Sequence, residues 1–320
     1  MKPRPAVVAA ILTVVALFLS ACGGGGDESG AESTAATFST CSRTDEVATA
    51  SSKPVGDDTI FIGAFADWDE SIASAYLMRN LLNRNGYTAQ VKTMDIESAF
   101  TATAFDELDV LTDVWLPTTH QGYIDQYGDQ LEALGCWYDN AKITIAVNDS
   151  SPAHSIGDLK TMGAAYQNTL VGIEPGAGET SVIAHQVIPA YGLHNLKMRN
   201  ASTADMLESL RQAETNRANI AVTLWRPHWA YSEFDIRDLE DPKGKLGGTE
   251  GVWNFANKGF GERSPRAAQM FRNLKLSDAE LSNLEDLITQ KYRDAKDNAV
   301  IEWLNSHPAF ADQVMSGSSG

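Results

Sequence analysis

The sequence predicts an α/β protein of two domains. Three observations carry that expectation. From Thr59 onward, short apolar runs alternate with amphipathic helical segments. A polar break at Asn148 to Pro152 and a return crossing at Gly251 to Phe255 divide the chain so that its last helices rejoin the first part. The length of 320 residues also exceeds that of a usual single domain. Residues 57–147 with 252–315 are therefore expected to form domain I, and 148–251 domain II.

In chain order, Ile60-Phe61-Ile62-Gly63 reads as a strand. Asp67 with Glu70 resembles a capping box opening a helix whose Ile72, Ala75, Met78 and Leu82 recur at helical spacing until Asn85-Gly86. Ala89 to Lys92 is a strand, Ile96 to Phe105 a helix, and Leu108 to Val114 a strand stopped by Pro117. Such alternation favours parallel strands with crossover helices. Lys142 to Val147, Thr169 to Ile173 and Asn219 to Leu224 are further strands, and Gly251 to Phe255 is expected to cross back to the first domain. Ser202 or Thr203 caps a helix through Leu210, and two closing helices are expected at Pro265–Leu274 and from Asp278 to about Trp303.

The N-terminus has a different character. Lys2 and Arg4 precede an apolar run, Ala6 to Leu19, too short for a comfortable membrane span and shaped like an export signal over residues 1–21. Leu19-Ser20-Ala21-Cys22 resembles a bacterial lipobox, which makes Cys22 the expected lipidation site. Residues 22–56 begin with a Gly-, Ser- and Thr-rich stretch that has almost nothing to bury, so they are expected to tether a domain outside the cytoplasm. Of three cysteines, the remaining Cys41 and Cys136 are a candidate disulfide in that oxidising setting. The formal charge of -17 argues against nucleic acid partners.

Three aromatic stretches fall just after predicted strands: Trp68, Trp115 through His120 to Tyr123, and Trp225 to Trp229. Each tryptophan on its own is more often core, and Trp137, Trp253 and Trp303 are read that way. The shared position beyond strand ends, where open α/β sheets bind ligands, lifts the other set. Tryptophan faces attract cations, and a quaternary ammonium group suits such a cage because it has no N–H to satisfy. His120 is either an ordinary satisfied histidine or a donor to a ligand carboxylate, together with the backbone N–H groups of Gly178 and Glu179. The six histidines are dispersed without metal-binding spacing, no Gly-x-Ser-x-Gly elbow occurs, and 42 acids single out no catalytic pair. No cofactor or metal is expected.

Trp68-Asp69-Glu70, Asp113-Val114-Trp115-Leu116-Pro117-Thr118-Thr119-His120, Gly172 to Gly178, and Leu224 to Trp229 with Leu239 to Lys243 together resemble the substrate-binding proteins of glycine betaine/choline-type ABC transporters. The resemblance covers most of residues 59 to about 300. It implies a type II periplasmic-binding fold with the ligand in the interdomain cleft, and no catalysis. It also implies a cage of Trp68, Trp115 and Trp225, with His120 and the amides of Gly178 and Glu179 on a carboxylate. Trp229 competes with Trp225 for the third wall. Glu179 departs from the family's apolar residue at that position; its side chain is expected to point outward, suiting the helix dipole. A monomeric, membrane-tethered receptor serving an ABC permease and its ATPase follows from the resemblance, with glycine betaine as the first ligand and choline or carnitine as alternatives. An exported hydrolase using the tryptophans as a platform is the competing class, and a sensor or adhesion lipoprotein a third.

Overall fold

The computed structural model describes Cys41 and residues 59–316. The expected export signal, the expected lipidation site Cys22 and, Cys41 apart, the expected tether to residue 56 lie outside the described residues, as does the tail 317–320. Among the described residues no helix is long and apolar enough to cross a membrane.

The strands are β1 (Thr59–Phe65), β2 (Thr88–Met94), β3 (Val110–Leu116), β4 (Leu131–Asn148), β5 (Thr169–Gly172), β6 (Lys197–Asn200), β7 (Ala221–Arg226), β8 (Ile236–Asp238) and β9 (Glu250–Asn257). They follow the order β2-β1-β3-β9-β4-β7-β5-β6, with β8 added on β4. β1 pairs parallel with β2 and β3, and β5 pairs parallel with β6 and β7. These are two parallel wings, joined in the middle by the antiparallel β9 and β4. The carboxyl ends of β1, β3, β5 and β7 all lead to the functional site.

Helix α1 (Asp69–Arg84) returns from β1 to β2, and α2 (Ile96–Ala104) from β2 to β3. The apolar stripe of α1, including Leu77, Met78, Leu81 and Leu82, is fully buried. It packs on β1 to β3 from one side and receives the helices Asp278–Asp286 and Lys296–Ser306 from the other. Asp95 caps α2 by accepting from Ser98 N at 2.9 Å, satisfying an N–H that the helix cannot. Cys41 and Cys136 are joined as a disulfide with Cα atoms 5.6 Å apart, tying residue 41 to β4.

Four sequence expectations differ from the structure. β4 is 18 residues long and begins well before Lys142. Its pairing to β9 slips at Gly135 (φ 107) and again around Cys136 and Tyr138, and these bulges erase the alternation by which strands are recognised. β3 continues through Trp115 to Leu116, so that indole stands on the strand's last turn of pleat rather than on the following loop. The expected Asp278–Trp303 helix is interrupted by a π-helical turn at Leu287–Lys291 before Lys296–Ser306 resumes. The capping box at α1 does not form. Trp68 is the N-cap residue with no side-chain cap bond, Asp67 adopts φ 64, and Glu70 is turned into the protein.

Candidate ligand-binding site

The ends of β1, β3, β5 and β7 enclose a small pocket. Trp68, Trp115 and Trp225 form its aromatic walls, and Ile143, Ile173 and Ala177 add aliphatic surface. Thr119, His120, Glu70 and Glu179 supply the polar groups. No lysine or arginine is among the lining residues. The indole of Trp68 lies parallel to His120 at 6.0 Å between centroids, and meets Trp225 at 60° and 6.3 Å. Trp225 sits opposite Ile143 in the β7–β4 register, which aims both at the same space.

The β3 corner is tightly wired. The Trp115 indole N–H donates to Asp113 Oδ1 at 2.7 Å, and its backbone N–H donates to His120 Nδ1 at 2.9 Å. That second bond sets the tautomer. With Nδ1 accepting, the proton of a neutral ring belongs to Nε2, which becomes a donor. Burial pushes the His120 pKa down to about 3, so the ring stays neutral through the physiological range. The following turn is held from below: Glu250 at the start of β9 accepts from Thr118 N at 2.7 Å and Thr119 N at 2.9 Å, and from the Thr119 hydroxyl. Leu116–Pro117 is cis, as is Arg226–Pro227 after the equivalent Trp225.

Trp225 is held differently. Its Nε1 is buried without a hydrogen-bond partner. His228 packs edge-on against it at 4.6 Å and 89°, with Nδ1 accepting from Ala230 N at 3.0 Å and Nε2 likewise without a partner. Trp229 does not line the pocket; its Nε1 reaches across the cleft to Asp69 Oδ2 at 2.6 Å. Between the two candidates for the third wall, the structure places Trp225 on the pocket and Trp229 on this cross-cleft bond. Burial raises Asp69 to about 6, against the lowering effect of the Trp229 N–H.

Glu179 points inward, correcting the outward orientation expected from its place at a helix start. It is 3% exposed, lines the pocket, and its Oε1 has no hydrogen-bond partner. Burial holds its carboxyl well above the usual range, Glu174 adds to the rise, and the Thr223 hydroxyl opposes it. Val182 and Ile183, three and four residues on, are buried with it, so helical spacing from these apolar residues was the available signal. Glu70 shows the same pattern with Leu77 and Leu81. Its carboxyl is also raised well above normal, by burial first and then by Asp113 and Glu285, while Asp113 itself rises to about 7 by burial.

Gly178 is not on the pocket lining; it lies at the seam between the two halves. A Cβ there would come within 1.9 Å of the Thr119 carbonyl oxygen, so only glycine permits this approach. The seam is reinforced by Tyr123, whose hydroxyl donates to Gly176 O at 2.9 Å. Glu174, which the sequence did not single out for a role, accepts from Thr203 N at 2.7 Å and Thr203 Oγ1 at 2.9 Å. It also takes a long 3.4 Å contact from Trp68 Nε1, linking that indole to the other half.

Chemically, this is a place to hold a molecule rather than to transform one. Its polar groups are a neutral imidazole, a hydroxyl and two carboxyls set in aromatic walls. Among the described residues, no group of three or more His, Cys, Asp or Glu could hold a metal ion.

Comparison with known proteins agrees with that reading. Residues 58–306 match the family described as the substrate binding domain of ABC-type glycine betaine transport systems. The glycine betaine/carnitine transport binding protein GbuC of Listeria monocytogenes is 30% identical over 165 residues, 50% of this chain and 52% of that protein. The chain spans about half the length of the curated relatives it matches. The glycine betaine/L-proline-binding protein ProX of Borrelia burgdorferi has a TM-score of 0.75 at 25% identity, covering 79% of this chain and 95% of that one. Lactococcal OpuAC, solved closed on glycine betaine, has a TM-score of 0.76 at 24% identity over 81% of this chain and 100% of that one, a likeness of fold. The chain therefore belongs to the substrate-binding domains of ABC-type glycine betaine transport systems, a family of two-domain α/β binding proteins rather than enzymes.

Proposed function

We propose that this protein captures a small quaternary ammonium compound, glycine betaine in the first instance, outside the cytoplasm and hands it to an ABC permease driven by its ATPase. The observation that carries the reading is the convergence of Trp68, Trp115 and Trp225 with His120 on one pocket that has no lysine or arginine. Desolvated cation–π contacts contribute about 2 kcal/mol each, so three walls support micromolar capture once ordering costs are met. In this reading His120 donates from Nε2 to the ligand carboxylate, helped by the backbone N–H of Glu179; Gly178, whose N–H was expected beside it, stands off the lining and serves the seam instead. Selection and closure do the work, and no bond is made or broken.

Domain I is proposed to comprise residues 57–147 with 252–315, and domain II residues 148–251. β4 changes partner from β9 to β7 between Ala141 and Lys142, a few residues before that boundary, and the chain returns at β9, which supports a hinge on this pair of strands. Cys22 is proposed as the lipid anchor, and the receptor as a monomer.

Titration of tryptophan fluorescence with glycine betaine and with choline tests the assignment. His120→Ala is expected to weaken glycine betaine on the order of tenfold or more, the value of a hydrogen bond to a charged group. Choline, which lacks the carboxylate, should be affected far less. Equal losses would remove His120 from the carboxylate role, and turnover of either compound would overturn the binding reading. The inward Glu179 favours a second reading, choline, because an ionised carboxylate there would repel the betaine carboxylate and attract a simple cation.

A further inference from the structure

The two ligand readings meet at one side chain. Glu179 enters the pocket from the helix Gly178–Val182, in the half opposite to His120. It is nearly completely buried, and one carboxyl oxygen has no partner in the protein. A buried polar atom in that state carries an appreciable cost unless something else completes it, and the space in front of it is the ligand pocket. We propose that Glu179 is the specificity-determining residue of this pocket, reading the uncharged or anionic end of the ligand. As a carboxylic acid its O–H donates to the carboxylate of a zwitterionic betaine; as a carboxylate it accepts from the hydroxyl of a quaternary ammonium alcohol and balances its charge. This rests on the quaternary ammonium reading proposed above.

The groups facing Glu179 decide which form it takes. Glu174, from the loop after β5, disfavours ionisation, and the Thr223 hydroxyl on β7 favours it. Across the pocket, Glu70 on α1 is itself acidic and His120 is held neutral, so no resident cation compensates a Glu179 carboxylate. The empty pocket therefore favours the protonated acid, well above the usual carboxylate range. A bound alcohol such as choline brings a permanent positive charge and draws Glu179 toward ionisation, releasing a proton to solvent. A bound betaine brings its own carboxylate and keeps the proton in place.

The linkage then runs in opposite directions for the two ligands. Where binding releases a proton, affinity rises with pH, by up to about tenfold per pH unit between the bound and empty pKa values of the site. Where binding requires the proton, affinity is level at low pH and falls once the empty site ionises. Asp69 and Asp113 also titrate near neutrality, at about 6 and about 7, but neither lines the pocket, and the ammonium charge they feel is the same for the two ligands. Their effect cancels in the ratio of the two affinities.

The test measures dissociation constants for glycine betaine and choline on the full chain between about pH 5 and about pH 8, the range of ordinary protein stability. Wild type should shift its preference toward choline by about tenfold or more across that range. Glu179→Gln, checked for fold by its thermal melt, should show a ratio that does not change with pH. Calorimetry of the wild type in two buffers of different ionisation enthalpy counts the protons directly, without any variant. Proton release with choline and none with betaine is expected. Binding of both ligands with a pH-independent ratio and no proton release would overturn the role of Glu179 while leaving capture intact. Failure of both ligands to bind at any pH would overturn the capture reading itself.

Discussion

The pocket's two Trp-x-Pro corners look alike in sequence and are built on different principles. Trp115-Leu116-Pro117 ends β3, Trp225-Arg226-Pro227 ends β7, and each is followed by a buried histidine whose Nδ1 accepts from a backbone amide. At the first corner each of these polar groups is tied down, with Asp113 on the indole, Trp115 N on the imidazole, and Glu250 on the turn. At the second corner the Trp225 indole and the His228 Nε2 lack partners, and the rings hold one another by edge-to-face packing. One hydrogen bond of the second corner, from Trp229 to Asp69, leaves its own half and reaches the other. The first corner is thus a preorganised wall; the second is a packed wall carrying a latch.

Replacing each indole by a phenyl ring sharpens that contrast. Trp115→Phe strips the buried Asp113 Oδ1 of the indole N–H, so a loss of about 1–3 kcal/mol in urea unfolding is expected. Trp225→Phe removes no hydrogen bond and should cost less, chiefly through packing, about 1 kcal/mol. Similar losses for both would erase the distinction between a wired and a packed wall.

The second prediction concerns the acids behind the first corner. Asp113 is pushed up to about 7 and Asp69 to about 6, above their unfolded values, so the folded state holds more protons than the unfolded chain at intermediate pH. The contribution of these two acids to stability should therefore rise as pH is lowered from about 7 to about 5, opposed by the buried neutral His120 and His228, whose pKa values of about 3 cost stability over the same window. Asp113→Asn, which keeps an oxygen for the Trp115 indole, should stabilise at neutral pH by on the order of 1 kcal/mol and flatten the slope. Wild-type and Asp113→Asn profiles that run parallel between about pH 7 and about pH 5 would contradict the raised pKa of Asp113.

The smallest effect is expected at the latch. Trp229→Phe removes the cross-cleft N–H while keeping an aromatic ring, and should speed ligand release severalfold with little change in unfolding. Stopped-flow fluorescence measures this. A release rate equal to wild type would make the Trp229–Asp69 bond incidental to closure.

Much of this was readable in the sequence, for reasons that differ by residue. Pro117 and Pro227 lack the N–H that a sheet requires, so each had to follow a strand end, and Trp115 and Trp225 were placed there with them. The α1 stripe repeats every three to four residues and could face only inward. β6, with the sequence Lys197-Met198-Arg199-Asn200, was missed because a short polar edge strand has no apolar alternation to show. The length of β4 was hidden by its bulges, and the break at Leu287–Lys291 by a helical pattern that continues on both sides of it.

Local pattern by itself located the strand ends closely, although β3 and β7 run on through Trp115 and Trp225, and showed which aromatic groups gather there, because backbone hydrogen bonding and side-chain periodicity act over a few residues. Only the tertiary structure decided which of those groups share a space. Trp225 rather than Trp229 meets Ile143 because β7 pairs with β4 in one register, and Gly178 meets Thr119 because two distant loops close on each other. Glu179 stands in the same sequence position for either orientation of its side chain. Its burial, and with it the proton that it holds, depends on what lies across the cleft, and that is a property of the folded whole.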